Sequence, residues 1–223
     1  MSQNKKAVLA LSGGLDSLAV LAFLKGIGYD VEGVCFTYDS KHNKYELEAA
    51  KKIADYYSTP LHFIDTQSIF SSFSSSLLKG QSDVPEGHYT DKAMESTVVP
   101  SRNIIFLSIL SGYAWTVEAD TIAIGVQGSE GTLYPDSTFV FIKRMERALL
   151  KGTGGKVKEI VAPFILHSKP EIIKWGINNN IPFDLSRTCF KDQEIACGKC
   201  GSCVKRLEGF RTNRIKDPIK YAV

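Results

Sequence analysis

The stretch that decides the fold is Lys6 to Ser17, which reads Lys-Ala-Val-Leu-Ala-Leu-Ser-Gly-Gly-Leu-Asp-Ser. The apolar run 7–11 predicts a buried strand, and the periodic apolar segment 18–24 predicts a helix. The Ser-Gly-Gly turn at 12–14 joins them. A strand, a glycine turn and a helix start place several free backbone N–H groups at one point, where the helix dipole adds a partial positive charge. The stretch therefore predicts a phosphate-binding loop.

Each residue of this loop has a predicted role. Gly13 and Gly14 supply the backbone freedom and the missing side chain that a close approach to phosphate requires. Ser12 and Ser17 offer hydroxyl donors, and Asp16 orients the turn or reaches a magnesium ion. The predicted nucleotide-binding set is Leu11, Ser12, Gly13, Gly14, Leu15, Asp16 and Ser17. An ordinary βα turn is the alternative, whereas the Walker and Gly-x-Gly-x-x-Gly loops do not fit.

Composition sets the broad class of protein. The chain has 223 residues, 43% of them hydrophobic and 23% charged, which suits one α/β domain with its own core. The net charge of +3 is too small to indicate nucleic-acid binding. No apolar run approaches the ~20 residues of a membrane helix, and the polar start 1–6 lacks the apolar core of a signal peptide. We therefore expect a cytoplasmic protein that contacts no membrane.

Strand and helix patterns alternate along most of the chain. Further strands are predicted at 30–37, 61–65, 120–126 and 159–164, and helices at 45–57, 104–118, 138–150 and from 167 onward. This order predicts a Rossmann-like α/β fold, a five-stranded parallel sheet with helices on both faces. Such a domain would span 1–185, with a small zinc-binding segment at 186–223 packed on it.

Residues 66–101 interrupt this alternation of strands and helices, because they are polar, rich in turn residues and weakly periodic. A long irregular insertion in a compact domain is often functional. A substrate lid, a dimer arm and a disordered surface loop are the three interpretations.

Three further positions fit the binding of an anion. Arg102 and Asn103 stand at the predicted start of a helix, where a guanidinium and an amide can join the helix N-terminus. Lys169 stands at a strand–helix junction and could reach phosphate. A salt-bridged arginine, a plain cap and a solvated lysine are the alternatives. The segment 38–42 follows the second strand, where open α/β sheets place ligand contacts.

Four cysteines crowd the C-terminal part of the chain, whereas Cys35 stands alone in an apolar run and is expected to pack in the sheet. Seven, two and two residues separate them, and glycines allow tight loops around a central ion. Four thiolates at this spacing favour a tetrahedral zinc site with no free coordination position. Such a site would be structural and would anchor the C-terminal tail to the domain. A redox pair and an iron–sulfur cluster are the alternatives. The four ligands are Cys189, Cys197, Cys200 and Cys203.

The loop 12–17 resembles the pyrophosphatase loop of the ATP-adenylating superfamily, which includes asparagine, GMP and NAD synthetases. From Ala7 to about Phe210, the chain resembles the 7-cyano-7-deazaguanine synthases of queuosine and archaeosine precursor synthesis. Besides the loop and the cysteines, the matching residues are His42, Glu46-Leu-Glu48, Val99-Pro-Ser-Arg-Asn103, Gly125-Val-Gln127, Tyr134-Pro-Asp136 and His167-Ser-Lys169.

This resemblance implies a homodimer that uses ATP with magnesium, holds one zinc per subunit, and converts 7-carboxy-7-deazaguanine to its nitrile with ammonia. It implies that Ser12, Asp16, Ser17, Arg102 and Lys169 act in adenylation. Asp136 is the candidate to accept from the donor edge of the deazaguanine, since a carboxylate matches two adjacent N–H groups. The other expected substrate contacts are Tyr38, His42, Gln127 and Tyr134.

The chain departs from the family pattern at three places. Asp39-Ser40 replaces Gly-Gln, Ser101 replaces Gly, and Ser137-Thr138-Phe139 replaces Cys-Arg-Pro. All three lie near the expected nucleotide or base site, so two other hypotheses stay open. One is a related ligase that stops at an amide with ammonia or a larger amine, and the other is a tRNA-directed or non-catalytic nucleotide-binding protein. Weak net charge and the lack of an added RNA-binding domain count against direct nucleic-acid binding.

Overall fold

The computed structural model describes residues 5–128 and 133–223. Five strands form one parallel sheet in the order β3-β2-β1-β4-β5, which confirms the predicted fold class. The central strand pairs on both sides, since Val8 lies opposite Glu32 of one neighbour and Ile122 of the other. The strands are β1 (Lys6–Ala10), β2 (Asp30–Thr37), β3 (Leu61–Asp65), β4 (Thr121–Ala123) and β5 (Glu159–Val161).

Strands β4 and β5 are shorter than predicted. Beyond β4 the chain passes the start of the first helix so closely that a Cβ on Gly125 would lie 2.7 Å from the amide nitrogen of Ser17. Beyond β5 the chain turns at once, because the amide of Ile165 bonds to the carbonyl of Ala162. Both sequences continue to look like strands after the sheet has ended, since their apolar side chains still face the core.

Helices connect the strands and cover both faces of the sheet. They are α1 (Leu15–Gly26), α2 (Asn43–Tyr56), α3 (Gln67–Phe70), α4 (Arg102–Thr116), α5 (Phe139–Gly152), α6 (Lys169–Asn178) and α7 (Gly201–Thr212). One apolar cluster joins α1, part of α2 and α6 to the sheet, and a second joins α4, α5 and the insertion to it. None of the helices within 5–128 and 133–223 combines the length and the apolar character needed to cross a bilayer.

The insertion 66–101 is ordered against the core. It contains α3 and a 3₁₀ helix, Lys92–Thr97. Its buried apolar side chains are Phe70, Leu77, Leu78, Val84, Met94 and Val99. A disordered surface loop is therefore the wrong interpretation of this segment. Glu86 of the insertion forms an isolated antiparallel β-bridge with Cys200, one of the four clustered cysteines of the C-terminal segment.

The C-terminal segment contains a helix, α7, that the sequence pattern did not predict. Arg206 on α7 is fully buried and forms a two-oxygen ion pair with Asp217, at 2.8 and 3.0 Å. Its guanidinium also donates to the carbonyl of Phe183 and the hydroxyl of Ser186. A buried guanidinium with these partners fixes α7 and the residues after it onto the α/β domain.

Candidate active site

A cavity of about 380 Å³ opens at the carboxyl ends of β1, β2 and β4. This place is where strand order reverses on either side of β1, which is the usual ligand site of an open α/β sheet. Most of the predicted site residues line it. They are Ser12, Gly14, Leu15, Asp16, Ser17, Tyr38, His42, Arg102, Asn103, Gln127, Tyr134 and Lys169, whereas Leu11, Gly13 and Asp136 do not line it.

Gly13 shapes the loop between β1 and α1. Its φ is +81°, and a Cβ there would lie 2.5 Å from the carbonyl oxygen of Glu46 and 2.7 Å from the amide nitrogen of Ala50. Only glycine fits a left-handed backbone pressed this closely against α2. The loop is thereby held between α2 and the end of β4.

The loop presents its polar groups toward the cavity. Because α1 begins at Leu15, the backbone amides of its first turn have no carbonyl partner within the helix. The Ser17 hydroxyl donates to the carbonyl of Gly14 at 3.0 Å and lies 3.3 Å from the Ser12 hydroxyl. Unpaired amides and two hydroxyls around a helix N-terminus form a site suited to phosphate.

Asp16 and Lys169 meet at the edge of this loop. The Lys169 ammonium donates to both carboxylate oxygens of Asp16, at 2.5 and 2.6 Å, and Lys169 is only 6% exposed. Its position is set by the start of α6, where Ser168 and Glu171 form a capping box around Pro170. The structure thus brings together Asp16, which was predicted to orient the turn or reach magnesium, and Lys169, which was predicted to reach phosphate.

The side of the cavity near β2 combines a guanidinium with aromatic rings. Arg102 donates to the hydroxyl of Tyr38 at 3.2 Å. The rings of Phe36 and Phe106 stack with centroids 4.0 Å apart, and both line the cavity. Flat apolar walls beside a cation suit a nucleobase and its phosphates.

Asp136 lies in a different environment from the one predicted. Its Oδ2 accepts from the backbone amide of Asn103 at 2.9 Å, and its Oδ1 lies 3.4 Å from the Asn103 side-chain amide. These bonds satisfy the start of α4, so Asp136 acts here as a helix cap outside the cavity lining. Asn103 also donates to the hydroxyl of Ser137 at 3.1 Å. The proposed contact of Asp136 with a deazaguanine stays a prediction.

The two other candidates from the loop after β4 do line the cavity. Gln127 donates to the carbonyl of His167 at 3.1 Å, and the Tyr134 hydroxyl lies 2.9 Å from the hydroxyl of Thr97 in the insertion. Residues 129–132, between these two, fall outside the described part of the chain.

A partly buried carboxyl group behind the loop, Glu46, was named in the sequence analysis only as part of a matching stretch and was given no role in the site. Glu46 on α2 lines the cavity, and its Oε2 lies 3.4 Å from Nε2 of His42. Burial, partly offset by Arg102 and Arg187, raises the pKa of Glu46 to about 8. Burial and the nearby Arg102 charge lower the pKa of His42 to about 3. At neutral pH both groups are therefore mostly uncharged, and the protonated carboxyl can donate a hydrogen bond to the neutral imidazole.

The insertion and α7 supply a further wall that no motif indicated. Tyr89 of the insertion and Ser202 and Lys205 of α7 line the cavity, together with Arg187 and Thr188 from the preceding segment. The Lys205 ammonium lies 5.5 Å from the centroid of the Tyr89 ring. Among the described residues, the cavity carries four cationic side chains, Arg102, Lys169, Arg187 and Lys205, and two carboxyl groups, Asp16 and Glu46. This excess of positive charge favours anionic reactants.

Two of the three departures from the family pattern coincide with strained backbone. Asp39 has φ 59° and Ser101 has φ 55°, the left-handed region that glycine adopts without cost. Glycine, which the family resemblance places at both positions, would adopt this conformation without the steric cost that a side chain carries. Ser101 directly precedes α4 and makes no capping hydrogen bond with its side chain.

The four cysteines converge at one point beside the cavity. All four are buried, and their sulfur atoms lie within 4.8 Å of one another. Sulfurs bound to one zinc at ~2.3 Å in a tetrahedron are about 3.8 Å apart, and Cys197 Sγ lies 3.9 Å from Cys203 Sγ. Backbone amides also donate to the sulfurs, as from Cys197 to Cys189 Sγ at 3.3 Å, which stabilises thiolates. The donor set fits a four-coordinate metal ion and leaves no open position.

The fold and this site define a PP-loop nucleotide-binding protein, in which the Ser-Gly-Gly-x-Asp-Ser turn occupies the switch point of a parallel sheet. The chain belongs to the family described as queuosine biosynthesis protein QueC, whose model matches residues 6–214. The predicted family is thereby confirmed.

Curated relatives cover nearly the whole chain. A 7-cyano-7-deazaguanine synthase of Caldicellulosiruptor saccharolyticus is 38% identical over 218 residues, which are 98% of this chain and 96% of the relative. One from Pseudoalteromonas atlantica is also 38% identical, over 97% of this chain and 99% of the relative. A 7-cyano-7-deazaguanine synthase 2 of Colwellia psychrerythraea is 39% identical over 98% of this chain and all of the relative.

Solved structures support the fold alone. The NMN synthetase of Francisella tularensis superimposes with a TM-score of 0.51 at 12% identity, over 96% of this chain and 79% of the synthetase. The U34-tRNA thiolase NcsA of Methanococcus maripaludis, solved with its [4Fe-4S] cluster, gives a TM-score of 0.50 at 15% identity. That match covers 96% of this chain and 66% of the thiolase.

Proposed function

We propose that this protein is a 7-cyano-7-deazaguanine synthase, an ATP-dependent ligase that adenylates the carboxylate of 7-carboxy-7-deazaguanine and forms the nitrile with ammonia. The observation that carries the proposal is the convergence of the loop amides, Asp16, Lys169 and Arg102 on one cavity. Relatives of this name, 38–39% identical over nearly the full chain, support the choice of substrate.

The chemistry follows from the poor leaving group of a carboxylate. Its oxygen attacks the α-phosphorus of ATP, the bond to the β-phosphate oxygen breaks, and pyrophosphate leaves. Ammonia then displaces AMP to give the amide, and a second activation of the amide oxygen allows elimination to the nitrile. The protein neutralises charge and positions the reactants.

Particular residues support the first step. The amides and hydroxyls of 12–17 would bind the departing pyrophosphate, and Lys169 and Arg102 would neutralise phosphate charge. Lys169 donates to both oxygens of Asp16, and this ion pair competes with a metal for the carboxylate, so magnesium is expected to be held mainly by phosphate oxygens and water. Asp16 then serves chiefly to hold the lysine in the loop.

We assign zinc to the four-cysteine site, since a closed set of four buried thiolates suits that ion and a structural role. We also propose a homodimer. Helices α4 and α5 carry exposed apolar side chains of the kind that a second copy covers. These are Ile104, Trp115, Phe139, Val140 and Leu150. Light scattering with Trp115→Glu tests this, and a monomeric wild-type protein at working concentration contradicts it.

The defining experiment incubates the protein with ATP, magnesium, ammonium and 7-carboxy-7-deazaguanine, and analyses the product by mass spectrometry. A product lighter than the ammonium salt of the acid by two waters is the nitrile, and one lighter by a single water is the amide. Asp16→Asn, which keeps the size of the side chain, is the matched inactive control. No turnover by a wild-type protein that binds ATP and metal refutes the proposal.

The amide is the second candidate product. The observation that favours it is Ser137, which lines the cavity at a position where the family pattern has cysteine. An amide as the final product, formed with ammonia or with a larger amine, would establish this alternative.

A further inference from the structure

Lys205 is a cation in the cavity that the proposed chemistry has not used. It lies on α7, two residues after Cys203, and is half-buried. Its side chain lines the same cavity as the phosphate loop, and its ammonium lies 5.5 Å from the centre of the Tyr89 ring. Gly209, one turn further along α7, packs against Lys169, since a Cβ there would lie 3.1 Å from the Cγ of Lys169, so this part of α7 lies at the end of the cavity that holds Lys169 and the phosphate loop.

Among the residues that the structure describes, Lys205 forms no ion pair. Both oxygens of Asp16 are occupied by Lys169, and Glu208, one turn further along α7, pairs with His88 at 3.2 Å. Within residues 5–128 and 133–223, no carboxylate oxygen lies within 4.0 Å of its ammonium. A partly buried ammonium without a paired carboxylate is unfavourable in a cavity that carries more cationic than anionic side chains, unless an anion binds there. The ammonium of Lys205 is therefore available to pair with an anionic group of a bound ligand.

Resting on the proposed function, the geometry points to Lys205 as a second lysine that binds, with Lys169, the phosphate oxygens that leave ATP as pyrophosphate. The phosphate group is favoured over the acid substrate because α7 packs against Lys169 through Gly209, one turn beyond Lys205, whereas the stacked rings of Phe36 and Phe106 lie on the β2 side of the cavity. Charge-assisted bonds from two ammonium groups would stabilise the departing anion.

This role gives the cysteine segment a part in the active site. Helix α7 starts directly after Cys200 and contains Cys203, so the convergence of the cysteines fixes where Lys205 enters the cavity. Burial of Arg206, the next residue, holds the same turn of α7 against the domain. The C-terminal segment, which the four cysteines and Arg206 hold against the α/β domain, thus also carries a phosphate-binding side chain.

The test measures binding of magnesium pyrophosphate, and separately of ATP without acid substrate, to metal-loaded protein by calorimetry. Lys205→Met is expected to weaken pyrophosphate binding about tenfold, which corresponds to roughly 1.4 kcal/mol, and Lys205→Arg is expected to retain most of it. Arg211→Met removes one positive charge from an exposed position on the same helix, outside the cavity lining, and should bind like wild type. Metal content and circular dichroism should match wild type in all three variants.

Unchanged pyrophosphate affinity in Lys205→Met overturns the proposal. So does a rise in KM confined to the acid substrate, because that result places Lys205 on the acid's carboxylate. If the methionine variant loses metal, Lys205→Gln is measured in its place. Failure of the proposed function is seen separately, as wild-type protein without acid-dependent exchange of pyrophosphate into ATP, and it leaves the pyrophosphate comparison intact.

Discussion

The ammonium of Lys169 lies 2.5 and 2.6 Å from the two carboxylate oxygens of Asp16, although 153 positions separate the residues in the chain. This ion pair joins the start of α6 to the start of α1 and so links the two ends of the α/β domain at the phosphate loop. Without its partner, each of these partly buried charges would be left uncompensated. The pair therefore controls both the charge and the shape of the loop.

Asp16→Ala is expected to abolish release of AMP while leaving the protein folded. The change frees Lys169 from the loop edge and removes the carboxylate that holds it, so the phosphate site loses its arrangement. We expect a loss of about 10²-fold or more, as for other groups that stabilise charge in a reaction. AMP formation is measured by chromatography, and circular dichroism reports the fold. Activity near that of wild type would disprove the assignment of the loop.

Ser101→Gly is expected to raise the free energy of unfolding by about 0.5–1 kcal/mol. The left-handed conformation costs a residue with a side chain about 1–2 kcal/mol, which glycine would avoid. The greater conformational freedom of glycine in the unfolded chain offsets part of this stabilisation. The serine is exposed and caps nothing, so no contact is lost. Urea unfolding measures the change. Ser101→Ala keeps the strained Cβ and should stay near wild type, and a destabilised glycine variant would contradict this account.

The phosphate loop could be predicted because its strand, turn and helix lie within twelve consecutive residues. Lys169 was also placed correctly at the start of a helix, since Pro170 and Glu171 mark that start locally. Arg187 and Lys205 could not be found in this way, because tertiary packing alone brings them to the cavity from segments without a motif for phosphate. Glu46 was found only as part of a stretch that resembles the family, and no local signal gave it a role. Asp136 shows the same limit, since its partner Asn103 lies 33 positions away.

Cys200→Ser is expected to lose bound metal and stability together. Cys200 is fully buried and also forms the N-cap of α7, so loss of one thiolate loosens both the metal site and the helix. We expect the free energy of unfolding to fall by at least about 2 kcal/mol. Elemental analysis and urea unfolding measure the two effects. Cys35→Ser, which changes a buried cysteine in β2 outside the cluster, should keep its metal, whereas a stable and metal-replete Cys200→Ser would rule out the structural role.

Glu46 should make the protein less stable as pH rises. Burial raises its folded pKa to about 8 from 4.5, so between these values the folded state holds a proton that the unfolded state has released. Stability then falls with increasing pH, by up to about 1.4 kcal/mol per pH unit for one group. Glu46→Gln should remove this slope, so its stability relative to wild type rises between these two pKa values and stays constant above the folded pKa. Glu48→Gln changes an exposed carboxylate of the same helix and should follow wild type. Urea unfolding at several pH values measures all three proteins, and parallel curves for wild type and Glu46→Gln would show that Glu46 ionises freely in the folded state.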